Sequence, residues 1–203
     1  MNLFFDLDGT LLDSKRRLYT LFQDLVSKST LSVNEYWELK RNKIDHKAIL
    51  LNKFNYTEID YINFESKFLE QIESPGYLKL DILFYGVCEM LGILAQKNKI
   101  FIITSRQNKE NTFVQLKKLD IYKYFENILV TERKYEKVEL IRKLQFQNED
   151  FIIGDTDYDI LTGKQLGIHT IAVSYGFLNK QKLNEYNPEY IVDNLAEIGI
   201  ILQ

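Results

Sequence analysis

Short apolar runs alternate with longer stretches of helical spacing along most of the chain, the rhythm of an α/β fold. Strands are predicted over Asn2–Phe5, Lys99–Thr104, Asn127–Val130, Phe151–Gly154 and His169–Val173, with a weaker one over Glu189–Val192. Ile100-Phe101-Ile102-Ile103 and Phe151-Ile152-Ile153 are continuous rather than alternating. Such runs suit strands buried on both faces, as in a parallel sheet covered by helices. Between them, Val87, Leu91 and Leu94 share one helix face. So do Phe113, Leu116 and Leu119, and then Val138, Ile141 and Leu144.

One region breaks the rhythm. From about Ser14 to Leu80 only helical periodicity is visible, with Leu18, Leu21, Phe22 and Leu25 in one stretch and Ile62, Phe64, Phe68 and Ile72 in another. The region ends near the helix breaker Ser74-Pro75-Gly76. It is far longer than an ordinary strand–helix connection, so it reads as a separate all-helical subdomain, or as helices packed on the sheet. The predicted division is a core of residues 1–13 and 81–203 and a helical unit of residues 14–80.

Composition excludes several classes. Hydrophobic residues make up 45% and charged residues 27%, with 13 Tyr and 13 Phe, too aromatic a chain for disorder. A net charge of −3, from 26 basic and 29 acidic residues, argues against a dedicated nucleic-acid binder. The single Cys88 closes no intrachain disulfide and, with two His, builds no structural zinc site. The chain shows neither a basic segment ahead of an apolar leader nor an apolar stretch of membrane-spanning length. A cytoplasmic protein without membrane or nucleic-acid partners is expected, as monomer or homodimer.

The polar residues at the predicted strand ends carry the chemistry. β-strand Asn2–Phe5 runs into Asp6-Leu7-Asp8-Gly9-Thr10, and ligands of open parallel sheets bind beyond the carboxyl ends of strands. Two carboxylates two residues apart point into one crevice while the chain stays extended, and Gly9 permits a tight turn beside a ligand. The pair can divide work between a nucleophile and a general acid/base, or hold a metal. Equally, Asp and Gly are ordinary turn residues. A second cluster, Gly154-Asp155-Thr156-Asp157-Tyr158-Asp159, follows Phe151-Ile152-Ile153. It is no EF-hand, because the sixth and twelfth places from Asp155 hold Ile160 and Leu166. Helix capping by Asp157 or Asp155 accounts for one carboxylate and leaves the others unexplained. Ile100–Ile103 ends in Thr104-Ser105-Arg106, whose hydroxyls can bind an anion or cap a helix.

The order Asp-x-Asp-Gly-Thr, strand–Thr, Lys, strand–Gly-Asp-x-x-x-Asp resembles the haloacid dehalogenase superfamily. Asp6-Leu7-Asp8-Gly9-Thr10-Leu11 matches its first motif, Thr104 the second, and Gly154-Asp155 with Asp159 the fourth. The third motif is looser: Glu132-Arg133-Lys134-Tyr135-Glu136-Lys137 lacks the proline of many relatives. Lys137 is favoured because Leu140, Ile141 and Leu144 follow it at helical spacing, with Lys134 the alternative. The stretch Gly167–Phe177 looks like the strand and glycine turn of phosphoglycolate-phosphatase-like members, whose helical cap takes the place of residues 14–80.

The resemblance implies a Rossmann-like three-layer core with a parallel sheet plus a small all-helical cap. It also implies a Mg²⁺-dependent phosphatase acting on a small phosphate ester through an aspartyl-phosphate. Asp6 would be the nucleophile and Asp8 the acid and base. Asp6, Asp8 (through its carbonyl), Asp155 and, behind them, Asp159 would make the metal site. Thr104 and Lys137 would stabilise charge on the phosphoryl group, with Ser105 and Arg106 available to substrate. Members without an acid at the place of Asp8 do other chemistry, so Asp8 points to a phosphatase or a phosphomutase. A phosphomutase of β-phosphoglucomutase type and a binding protein without turnover remain the alternatives. Arg106 could pair with a structural carboxylate instead of substrate. The run Lys40, Arg41, Lys43, His46 and Lys47 reads as a solvated face or, less simply, as a substrate-facing patch. Trp37 is expected in the core of the helical unit.

Overall fold

The computed structural model describes residues 1–202. Within them the chain runs β1 (Asn2–Phe5), β2 (Leu12–Asp13), α1 (Lys15–Leu25), α2 (Val33–Arg41), α3 (His46–Phe54), α4 (Glu58–Gln71), α5 (Pro75–Leu78) and β3 (Ile82–Leu83). It continues α6 (Val87–Leu94), β4 (Lys99–Thr104), α7 (Lys109–Lys118), β5 (Asn127–Val130), α8 (Lys137–Arg142) and β6 (Phe151–Gly154). Last come α9 (Asp157–Leu166), β7 (His169–Val173), α10 (Lys180–Asn184), β8 (Tyr190–Val192) and α11 (Leu195–Ile201).

Six strands make one parallel sheet in the order β5-β4-β1-β6-β7-β8. Strand side chains alternate between faces, and both faces are covered. Leu3 and Phe5 pack with Val87 and Leu91 of α6, Leu116 of α7 and Ile198 of α11. Phe4 points the other way, into a cluster with Ile141 of α8 and Leu166 of α9. Leu3, Phe4 and Phe5 are all fully buried, which is why this part of the strand reads as unbroken apolar sequence. Each contributes roughly 1.5–3 kcal/mol by leaving water.

Helices α1–α5 gather a separate apolar cluster around Leu21, Phe22, Tyr36, Leu50, Phe64 and Phe68. Ser32–Glu35 and Thr57–Asp60 form reciprocal capping boxes that start α2 and α4. Ile62, read as a member of the buried α4 face, is 60% exposed, and Tyr61 packs against the cluster instead. Ser74-Pro75-Gly76 ends α4 and also starts a helix, with Pro75 in the first turn of α5, where its missing N–H costs nothing. The helical region is entered and left through one antiparallel pair, Leu12 opposite Leu83 and Asp13 opposite Ile82. Strands of two residues carry no periodicity and leave no pattern to read. No helix among the described residues is long and apolar enough to cross a membrane.

Candidate active site

β1 lies between β4 and β6, where the chain's route divides to the two sides of the sheet, so a crevice opens at the carboxyl ends of these strands. Phe5 stands opposite Ile102 and Ile153, so Asp6, Thr104 and Gly154-Asp155 emerge side by side. The Asp6 N–H donates to the Ile153 carbonyl at 2.8 Å, holding the first carboxylate to the sheet. Beyond it the chain folds back, and the N–H groups of Leu11 and Leu12 donate to the Leu7 carbonyl at 3.0 and 2.9 Å. Gly9 makes this turn at φ +83°, and a Cβ there would lie 1.9 Å from Asp155 Oδ2. Any side chain at position 9 would displace the carboxylate it abuts.

The resulting pocket, about 260 Å³, is lined by Asp6, Asp8, Thr104, Ser105, Arg106, Lys137 and Asp155 among others. Lys137 and Asp159 meet at one side. Lys137 Nζ donates to Asp6 Oδ1 and to Asp159 Oδ1, both at 2.6 Å, and is 1% exposed. Burial alone would lower the Lys137 pKa, but Asp159 and Asp6 hold it above the ordinary lysine range. The other Asp159 oxygen accepts from the N–H and hydroxyl of Thr156, closing a capping box at the start of α9. Thr156, rather than Asp155 or Asp157, therefore caps this helix. Burial first, opposed by Lys137 and reinforced by Asp159, pushes Asp6 up to about 7. Burial and the charges of Asp6 and Asp159 push Asp155 well above the usual carboxylate range.

Asp8 has the opposite surroundings. Arg106 grips it with Nε–Oδ2 at 2.7 Å and Nη2–Oδ1 at 2.8 Å, and Arg17 of α1 pairs with the same carboxylate. Burial would raise its pKa, yet Arg106 and then Arg17 hold it below the ordinary range. Both arginines also reach Asp81, at 3.0 Å from Arg17 Nε and 3.3 Å from Arg106 Nη2. Arg106 thus pairs with carboxylates while lining the pocket.

Thr104 is buried at the pocket wall and Ser105 is exposed beside it. Lys134 lies outside the pocket, 3.6 Å from Glu132 on the surface. The helical region lines the opposite side with Arg17, Leu18, Ile72 and Glu73. The Glu73 carboxylate accepts from the N–H groups of Gln107 and Asn108, each at 2.8 Å. Trp37 is not in the helical cluster; it packs against Phe177, in the segment after β7, with ring centroids 5.0 Å apart. The basic run is only partly solvated, since Arg41 and Lys43 reach across to the residues after β6 and β7. Arg17, Glu73, Asp81 and Phe177 do not stand out in the sequence as site residues. Arg17 left one trace, its place four residues before Leu21 on the buried face of α1, while Asp81 left none.

Residues 3–173 match the haloacid dehalogenase-like hydrolase family. The chain belongs to that family. It is 25% identical over 211 residues to a pyrophosphatase PpaX from Oceanobacillus iheyensis, covering 98% of this chain and 95% of that one. To a phosphoglycolate phosphatase from Pseudomonas fluorescens it is 24% identical, over 96% of this chain and 76% of the relative. A haloacid dehalogenase-like family hydrolase from Streptococcus pneumoniae superposes with a TM-score of 0.82 at 21% identity, covering 100% and 98% of the two chains.

Haloacid dehalogenase-like enzymes generally use Mg²⁺, and the donor set here fits that ion. Carboxylate oxygens of Asp6, Asp155 and Asp159 lie within 4.8 Å of one another, all buried. The donors are hard oxygens, as Mg²⁺ prefers. Three carboxylates facing a single ammonium also leave a negative excess, which adds to burial in raising Asp155 and which a divalent cation would relieve.

Proposed function

We propose that the chain is a Mg²⁺-dependent phosphatase that hydrolyses a small phosphate ester through an aspartyl-phosphate on Asp6. The observation that carries this reading is the Asp6 carboxylate, fixed at the end of β1 between Lys137 and Asp155 and open to the pocket. In this reading residues 1–13 and 81–203 are the catalytic core, and residues 14–80 are a cap that keeps bulk water from the reaction.

An Asp6 oxygen attacks phosphorus in line while the bond to the ester oxygen breaks, and Asp8 delivers a proton to the departing oxygen. A water then attacks the aspartyl-phosphate, gives its proton to Asp8, and releases phosphate and free Asp6. Asp8 starts ionised under Arg106 and Arg17. An anionic substrate competes for those guanidinium groups, and the carboxylate freed from them takes up from solvent the proton that it then delivers. Thr104 and Lys137 bind the phosphoryl oxygens, and Ser105 and Arg106 contact the remainder of the substrate. Asp6, Asp155 and the Asp8 carbonyl would hold Mg²⁺, whose chemistry there is to neutralise charge accumulating on the phosphoryl oxygens. Asp159 orients Lys137 and supports the metal carboxylates from behind. A pocket of this size and the names of the relatives, pyrophosphatase and phosphoglycolate phosphatase, favour a small substrate.

The test is phosphate release with Mg²⁺ across sugar phosphates, nucleotides, pyrophosphate, phosphoglycolate and p-nitrophenyl phosphate. Turnover is expected for at least one and is lost with EDTA. Isomerisation of a sugar phosphate without free phosphate would replace this reading with a phosphomutase. Ligand-induced stabilisation without any turnover would replace it with a binding protein.

A further inference from the structure

Arg41 closes α2, and its side chain spends both terminal nitrogens on the segment after β7. Nη1 donates to the Gly176 carbonyl at 2.8 Å and Nη2 to the Ser174 carbonyl at 2.7 Å. The same segment answers in kind: the Asn179 N–H donates to the Arg41 carbonyl at 3.1 Å, and Asn179 Nδ2 to Asn42 Oδ1 at 3.1 Å. One turn earlier on α2, Trp37 packs on Phe177. Residues 174–179 are therefore held from the helical side by a fork of two charge-assisted hydrogen bonds, a geometry that guanidinium offers and ammonium does not.

The other side of this segment is fitted to Asp155. The Phe177 N–H donates to Asp155 Oδ2 at 2.6 Å, and the Leu178 N–H to the Asp155 carbonyl at 3.3 Å. A Cβ on Gly176 would lie 2.3 Å from Asp155 Oδ2, 2.4 Å from Asp155 Cβ and 2.4 Å from the Gly9 carbonyl. The segment has no slack there, so a shift of Gly176 or Phe177 must move the Asp155 carboxylate or break its hydrogen bond.

We propose that Arg41 is a positioning residue which, through the carbonyls of Ser174 and Gly176 and the Phe177 N–H, couples the seating of the helical region to the placement of the Asp155 carboxylate. Arg41 is not among the residues that line the pocket, and its terminal nitrogens are committed to carbonyls, so it acts on the site without touching substrate. At this residue the cation run thus holds the loop that holds a metal carboxylate. The inference rests on the reading of Asp155 as a Mg²⁺ ligand.

The test uses the full chain and Mg²⁺ alone, followed by calorimetry and by the fluorescence of Trp37, the single tryptophan, which sits on Phe177. Arg41→Ala is expected to weaken Mg²⁺ binding about tenfold, the scale on which partners behind a metal ligand act. The Mg²⁺ concentration for half-maximal turnover should rise by a similar factor, with substrate KM changing less. Arg41→Lys, which keeps the charge and can reach one carbonyl, should fall between Arg41→Ala and the parent chain, and it serves if the alanine variant fails to fold. Lys43→Ala removes a different link between the two regions, the pair with Asp157 at 2.8 Å, and should leave Mg²⁺ affinity unchanged. Parent-like Mg²⁺ affinity in Arg41→Ala, or an equal loss in Lys43→Ala, overturns the coupling while the metal reading stands. Parent-like Mg²⁺ affinity in Asp155→Asn overturns the metal reading, and the coupling with it.

Discussion

The pocket has two halves with opposite electrostatics, only two residues apart on one strand end. Around Asp6 stand Asp155 and Asp159 with Lys137 as the nearby cation, so carboxylates outnumber cations. Around Asp8 stand Asp81, Arg17 and Arg106, two carboxylates matched by two guanidinium groups. One half carries an excess of carboxylates; in the other the formal charges are matched. The same residue type takes its chemistry from its neighbours: Asp6 is pushed up to about 7 by burial, while Asp8 is held down by its arginines against the same burial.

Asp6→Asn should break this contrast most severely. Turnover is expected to fall at least about a thousandfold, since a nucleophile has no substitute. In EDTA at pH 8 the same variant should melt above the parent chain, because it removes one of the crowded carboxylates; calorimetric scans in EDTA check this. Asp8→Asn should also lose turnover, by about a hundredfold or more, but with the reverse effect on stability. It leaves Arg17 and Arg106 sharing Asp81 alone, at a cost of about 2–3 kcal/mol. That is somewhat less than for a wholly buried pair, because the Asp8 side chain is 20% exposed. Denaturant unfolding of the two variants side by side would expose any failure of the contrast.

Burial, which outweighs Lys137 at Asp6 and Arg17 at Asp81, lets Asp6 hold a proton in the folded chain up to about 7 and Asp81 up to about 6, against an ordinary value of 3.8. Between those limits the folded state holds more protons than the unfolded one, so metal-free stability falls as pH rises from about 4 to 7. Asp8 acts oppositely: its contribution is present above 3.8 and is lost as pH falls further. Melting scans in EDTA should therefore peak on the acid side, and the stabilisation by Mg²⁺ should grow as pH rises to 8. Each kcal/mol corresponds to about 2–4 °C in a chain of this size. The smallest effect is expected from Lys134→Ala, within about 0.5 kcal/mol and with parent-like turnover, because its pairing to Glu132 is exposed. A comparable loss in Lys134→Ala and Lys137→Ala would erase the distinction between the two lysines.

The sheet was legible because its strands are buried on both faces, and unbroken runs such as Phe151-Ile152-Ile153 have few other uses. Five of its six strands have the residue bounds that the apolar pattern suggests, and β8 begins one residue later, at Tyr190. Asp6, Asp8, Thr104, Lys137 and Asp155 were visible because strand ends and motif order bring them together. The partners of Asp8 were not. Arg17 comes from a helix whose charged start, Lys15-Arg16-Arg17, looks like any solvated end, and Asp81 sits in a turn between α5 and β3. Periodicity reports which face of an element is buried; it says nothing of which long side chain crosses to another element. Trp37 shows the same limit, since an aromatic on a helix reads alike whether it packs within its own cluster or across to Phe177.

The antiparallel pair of Leu12–Asp13 with Ile82–Leu83 has a consequence for how this chain could be rebuilt. The excursion through α1–α5 begins and ends at neighbouring backbone positions, so its removal leaves only a hairpin-sized gap to close. A tight turn joining Asp13 to Ile82 would span that gap, and another inserted module with adjacent termini could be grafted there without redrawing the strands beneath. Ring-closure entropy grows only slowly with the length of such an excursion. The size of what stands above the pocket is thus nearly free to vary, whereas the junction that carries it is not.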